Sequence, residues 1–185
     1  MTPSGVHKSR DMNTERRAMS ERLAGFLEIV KVYGLGILAV IGVSVVWDYM
    51  QPKPELPEFA PNFSLTDVHG QEHSLDEYLG KSVVINFWAS WCGPCVSEMP
   101  DFARYADENP DVVVLGLSTD RREQDAISTA NRLGVNYPIL MAGSVASEYN
   151  IEVLPTTVVV NPDGRVKNVS VGAISYRALS AAVER

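Results

Sequence analysis

Asn86-Phe87-Trp88-Ala89-Ser90-Trp91-Cys92-Gly93-Pro94-Cys95 sets a close pair of cysteines at the end of an apolar run. That run, Ser82-Val83-Val84-Ile85-Asn86-Phe87-Trp88, is rich in β-branched residues, as a strand buried in the middle of a sheet should be. After the first cysteine, Pro94 favours the opening turn of a helix. The pair therefore stands where a buried strand hands over to a helix N-terminus. Unsatisfied backbone N–H groups and the helix dipole favour an anion there, which biases the first thiol toward thiolate. Cys92 is the expected nucleophile. Cys95, one turn on and more buried, is the expected resolving thiol that breaks a mixed disulfide. The Gly93-Pro94 dipeptide fixes the turn and tunes the balance between dithiol and disulfide.

Cys92 and Cys95 are the only cysteines in 185 residues. A small disulfide-stapled domain needs several bridges, so one tight pair points instead to redox chemistry or to half of a metal site. His69 and His73 would bring the ligand count to four. Both fall in an expected hairpin turn beside Gly70, where polar residues need no special reason, and no metal is expected.

Strand and helix signals alternate from residue 58 to 185, the pattern of an α/β fold with a central sheet and flanking helices. The segments 62–66 and 71–75 flank Asp67-Val68-His69-Gly70 as an N-terminal hairpin. A second buried strand is expected over 111–118, a helix over 121–133 closed by Gly134, a short strand over 137–140 and a helix over 145–149. Thr156–Val160, the turn Asn161-Pro162-Asp163-Gly164 and Arg165–Val171 read as a hairpin, and Tyr176–Val183 as the closing helix.

The quoted stretch resembles the thioredoxin superfamily signature, and Leu154-Pro155-Thr156-Thr157 resembles that superfamily's cis-proline loop. Within it, Cys95-Val96-Ser97-Glu98-Met99-Pro100, the opening Ala60-Pro61-Asn62-Phe63-Ser64-Leu65 and the inserted helix and strand over 121–140 are similar to the membrane-anchored TlpA/ResA-like group, which includes the cytochrome c maturation reductants. The resemblance implies a thioredoxin-like fold over about 57–185, a thiol–disulfide oxidoreductase acting through the Cys92–Cys95 pair, and no cofactor. It also implies a cis Leu154–Pro155 bond beside Cys92 and a substrate-binding surface of Trp91, Gly93, Pro94, Leu154, Pro155 and Thr156. Trp88 reads equally as core or site. Thioredoxin itself carries a buried Asp where this chain has Asn86, and an amide cannot serve as a general base. Glu98, one turn beyond Cys95 on the same helix face, is the expected proton acceptor. A carboxyl beside a partly buried dithiol should have a raised pKa; the competing reading is an ordinary surface charge.

Charge and hydropathy speak to location. Residues 1–31 carry six Lys/Arg against four acids, and the remaining chain ten against nineteen, so a net charge of -7 divides into +2 and -9. A body that acidic is a poor partner for nucleic acid. Val32 to Trp47 is sixteen residues without a charge. Extended over 29–48, with Lys31 snorkelling and Tyr33, Trp47 and Tyr49 near the interfaces, it reads as an uncleaved transmembrane signal anchor. A buried core helix and a cleaved signal peptide are the alternatives; four glycines weigh against the first, the length and the lack of a cleavage site against the second. The expected order is a cytoplasmic tail (1–28), the anchor (29–48), a Pro-rich spacer (49–57) and the thioredoxin-like domain (58–185). The basic flank places the N-terminus inside a bacterial cytoplasmic membrane and the domain in the periplasm or outside. The expected partners are extracytoplasmic protein disulfides, apocytochromes c among them, and a membrane thiol-electron donor of the CcdA/DsbD type. Alternatives are reduction of copper-site cysteines, a thiol peroxidase sharing the Ala60-Pro61-Asn62-Phe63 opening, and a non-catalytic binding module.

Overall fold

The computed structural model describes residues 33–34, 36–44, 46 and 57–184. The first group is helical. Among the described residues no helix is long and apolar enough to cross a membrane. The expected anchor over 29–48 lies only in part among these residues; the expected tail and nearly all of the spacer lie outside them.

From residue 57 the chain builds a five-stranded mixed sheet, a two-stranded hairpin and four helices. β1 (Ser64–Thr66) and β2 (Glu72–Ser74) form the N-terminal hairpin, followed by a 3₁₀ turn over Leu75–Tyr78. β3 (Ser82–Trp88) leads into α1 (Gly93–Glu108), which returns the chain to β4 (Val112–Ser118), parallel to β3. α2 (Glu123–Leu133) ends at Gly134, whose left-handed φ of 65° suits a residue without Cβ. β5 (Ile139–Met141) joins the free edge of β4, α3 (Val145–Glu148) follows, and the hairpin β6 (Thr156–Val160) and β7 (Val166–Val171) pairs antiparallel with the other side of β3. α4 (Tyr176–Glu184) closes the domain. The strand order β5-β4-β3-β6-β7 puts β3 at the centre, which is why its side chains are buried on both faces.

Alternation along β3 sorts those side chains into two cores. Val83, Ile85 and Phe87 pack with Phe63, Leu75 and Tyr149 under the hairpin side. Val84 and Trp88 pack with Met99 and Phe102 of α1, Ala126 of α2 and Leu179 of α4. Trp88 is fully buried, which settles it as core. α4 is fixed to α1 by the Tyr176 N–H donating to Asp101 at 2.8 Å and the Tyr176 hydroxyl to Glu108 at 2.6 Å.

The short strand expected over 137–140 begins two residues later. Pro138 has no N–H to give a ladder, and pairing with β4 starts at Ile139 opposite Gly116. Likewise α2 starts at Glu123, because Arg122 is still extended (φ -119°, ψ 120°). The turn histidines need a larger correction. His69 is exposed, but His73 faces inward from β2 and is 4% exposed. Its Nε2 meets the Asp67 carboxylate at 3.2 Å and its Nδ1 meets the Tyr78 hydroxyl. Burial pushes the Asp67 carboxyl upward, yet the N–H groups of Gln71 and His69 and the His73 ring outweigh it and hold it below the usual range. His73 is thus a structural tie between hairpin and 3₁₀ turn.

Candidate active site

The strand-to-helix handover occurs as the sequence requires. Cys92 is the N-cap of α1 in extended conformation, its sulfur accepting from the Cys95 N–H at 3.3 Å and its carbonyl from the Val96 N–H at 3.0 Å. Pro94 sits in the first turn, where its missing N–H costs nothing. The two cysteines form a disulfide with their Cα atoms 5.3 Å apart. Cys95 is fully buried while Cys92 retains 6% exposure, so Cys92 is the more accessible of the pair. Trp91 beside it is 74% exposed, and Gly93 and Pro94 are exposed with it. The Leu154–Pro155 bond is cis. Leu154 is half-buried and packs against the core cluster that contains both cysteines, whereas Pro155 and Thr156 are buried, the Thr156 hydroxyl donating to the Val153 carbonyl at 2.7 Å.

Glu98 is no surface charge. Period 3.6 places it on the stripe of α1 that buries Cys95, Met99 and Phe102, and it is 3% exposed. Two neutral donors hold its carboxyl: Asn86 Nδ2 to Oε1 and the Ile174 N–H to Oε2, each at 2.8 Å. Burial dominates these bonds and pushes the Glu98 pKa up to about 7. Asn86, fully buried at the centre of β3, also donates to the Thr157 hydroxyl at 3.1 Å, directly across the β3–β6 pairing. The amide in place of an acid thus anchors an acid arriving from α1. One network joins β3, α1, β6 and the loop before α4.

Asp120 was not foreseen. Just past β4, it is 8% exposed and accepts the Ser90 N–H at 2.9 Å, the Ser90 hydroxyl at 2.8 Å and the Ser118 hydroxyl at 2.9 Å. Those bonds pin the segment leading into Trp91 and Cys92 to the end of the neighbouring strand. Its signal was positional: a carboxylate at the C-terminal end of a central parallel strand, the edge where α/β folds build sites. The residues of the zinc alternative are otherwise engaged in the oxidised chain, the cysteines with each other and both His73 nitrogens with Asp67 and Tyr78. No group of three or more candidate ligands could hold a metal among the described residues.

Comparison with known proteins agrees with this arrangement. Residues 57–169 match the AhpC/TSA family. The thiol-disulfide oxidoreductase ResA of Geobacillus kaustophilus is 32% identical over 160 residues, 81% of this chain and 90% of that protein. The thioredoxin-like protein YneN of Bacillus subtilis is 33% identical over 65% of this chain and 74% of its own length. Among solved structures, a secreted Mycobacterium tuberculosis disulfide oxidoreductase homologous to E. coli DsbE superposes with a TM-score of 0.61 at 27% identity, over 66% of this chain and 94% of that one. A thioredoxin family thiol:disulfide interchange protein from Chlorobium tepidum reaches 0.64 at 27% identity, over 70% and 96%. The redox group is the Cys92–Cys95 pair itself, and the chain belongs to the AhpC/TSA family as a ResA-like thiol–disulfide oxidoreductase of thioredoxin-like fold.

Proposed function

We propose that this enzyme works as a membrane-anchored, extracytoplasmic reductant of protein disulfides, with Cys92 as nucleophile, Cys95 as resolving thiol and Glu98 as proton acceptor. The observation that carries the exchange chemistry is the buried Glu98 carboxyl one turn beyond the buried Cys95, its pKa pushed up to about 7 by that burial. In the reduced enzyme the Cys92 thiolate attacks a client disulfide, whose S–S bond breaks and whose departing sulfur takes a proton from water. Cys95 then gives its proton to the Glu98 carboxylate and attacks Cys92 in the mixed disulfide. The second client thiolate leaves, and the Cys92–Cys95 disulfide forms. Two electrons pass from enzyme to client, and a donor dithiol must restore them.

A base near pKa 7 can take the Cys95 proton and release it again near neutral pH. The exposed Trp91, Gly93 and Pro94 and the half-buried Leu154 offer the client its surface, while the buried Pro155 and Thr156 hold the cis loop in place. The secreted M. tuberculosis relative supports action outside the cytoplasm. So does the charge-free run from Val32, whose described side chains Tyr33, Leu38, Val40 and Val43 are exposed and call for an apolar covering. Apocytochromes c with CxxCH sites are the clients we favour, copper-site cysteines the second choice, and a CcdA/DsbD-like membrane thiol carrier the donor. A peroxidase would have to work from this same strand-to-helix dithiol, and a peroxide-consumption assay separates it.

The decisive experiment is trapping. Cys95→Ser should accumulate mixed disulfides through Cys92, and identifying the captured proteins names the client. Absence of adducts outside the cytoplasm would overturn the reading.

A further inference from the structure

The turn Ala89-Ser90-Trp91-Cys92 links β3 to α1 and is closed by the Cys92 N–H donating to the Ala89 carbonyl at 3.1 Å. Ser90 and Trp91 are its central residues, so the Ser90 N–H has no partner within the turn. Its partner comes from beyond β4. The Asp120 carboxylate accepts the Ser90 N–H on Oδ2 at 2.9 Å and the Ser90 hydroxyl on Oδ1 at 2.8 Å. Next to it, the Thr119 N–H and hydroxyl both donate to the Trp88 carbonyl, at 2.9 and 3.2 Å. Ser118, the fully buried last residue of β4, braces the carboxylate from behind. Its hydroxyl donates to Oδ2 at 2.9 Å and accepts the Asp120 N–H at 3.1 Å.

Two ordinary uses of such a carboxylate do not apply here. A surface carboxylate meets water or a cation, but Asp120 is 8% exposed and its side-chain partners among the described residues are neutral donors. A carboxylate just ahead of a helix often caps it. Yet the N-cap of α2 is Arg122, with no side-chain cap bond. A buried carboxylate is costly unless it is well bonded, and these bonds go to the turn and to the strand end behind it. Cys92, the last residue of that turn, is also the N-cap of α1. A thiolate there is stabilised only while it stays at the helix N–H groups. Whatever fixes the turn therefore fixes the nucleophile.

We propose that Asp120 is a positioning residue for disulfide exchange, tied through Ser90 to the turn that carries the Cys92 sulfur to the head of α1. It touches neither the sulfur nor the client and acts only by holding Ser90. The inference rests on Cys92 being the attacking sulfur, as proposed above. The groups that can carry charge on the elements meeting at Cys92 are Cys95 and Glu98 on α1, and Asp120 and Arg121 past β4. The cis-proline loop presents Leu154, Pro155 and Thr156. A negative charge near Cys92 by itself disfavours the thiolate. Replacing Asp120 therefore has two effects of opposite sign, whereas replacing Ser90 weakens the tie and leaves the charge in place.

The test is the pH profile of alkylation of the reduced full chain by iodoacetamide, with the labelled cysteine identified by mass. Ser90→Ala should raise the Cys92 midpoint by about half a unit, the scale of one weakened hydrogen bond, because the thiolate is held less firmly at the helix terminus. In an Asp120→Ala background the same replacement should leave the midpoint where it is, since the hydroxyl then has no carboxylate to meet. An unchanged midpoint for Ser90→Ala overturns the proposal even if stability in urea falls, and so does an equal shift in both backgrounds. If Asp120→Ala does not fold, the profile of Ser90→Ala alone decides. Label arriving first on Cys95 would defeat the role proposed for Cys92, whereas label on Cys92 with an unmoved midpoint defeats only the tie through Ser90.

Discussion

A glutamate that keeps its proton to about pH 7 leaves a mark on stability as well as on catalysis. Unfolded, the same side chain lets go near its ordinary value of 4.5, so between these two pH values the folded protein binds the extra proton. Stability therefore falls as pH rises through that window. Fully expressed, the shift is worth about 3 kcal/mol between pH 4 and pH 8. Glu98→Gln cannot ionise and should flatten the slope when the oxidised variant and wild type are unfolded in urea from pH 4 to pH 8. The same substitution should slow disulfide exchange, or shift its pH profile, where wild type changes near neutrality. A variant with the wild-type slope would mean that Glu98 ionises as freely as a surface carboxylate.

At the scale of elements, nearly every strand and helix was legible, because each owed its signal to local chemistry. The β-branched run of β3, the Asn161–Gly164 turn and the Gly134 cap specify their elements without help from the rest of the chain. The site was legible in its reactive pair and only partly in its surroundings. Glu98 could be placed by counting turns along α1, since the stripe from Cys95 to Phe102 runs through it. Asp120 and Thr157 reach the site by pairing across strands distant in sequence, and His73 owes its burial to packing the sequence does not announce. Gly116 belongs to the same class of hidden requirement. In a strand it reads as a weak residue, yet a methyl there would sit 2.7 Å from Ile139 Cδ1 and 3.0 Å from the Tyr137 ring. Gly116→Ala should therefore destabilise the domain by about 1–3 kcal/mol in chemical denaturation, the range of an overpacked core. Unchanged stability would show that β5 shifts freely.

For the molecule as a whole, the proposed topology makes a separate prediction. A reporter enzyme that is active only outside the cytoplasmic membrane, fused after residue 57, should be active in cells. The same reporter fused after residue 28 should be silent. The reverse pattern would invert the topology and put the dithiol in a reducing compartment. Whether the dithiol is spent or ready can be read by light. Of the three tryptophans, Trp88 is sealed in the core, while Trp91 stands in water next to Cys92. A disulfide accepts an electron from an excited indole and darkens it, and a dithiol does so far less. Reduction should brighten the red-shifted emission of Trp91, and Trp91→Phe should abolish that change, so that fluorescence follows each turnover without a label.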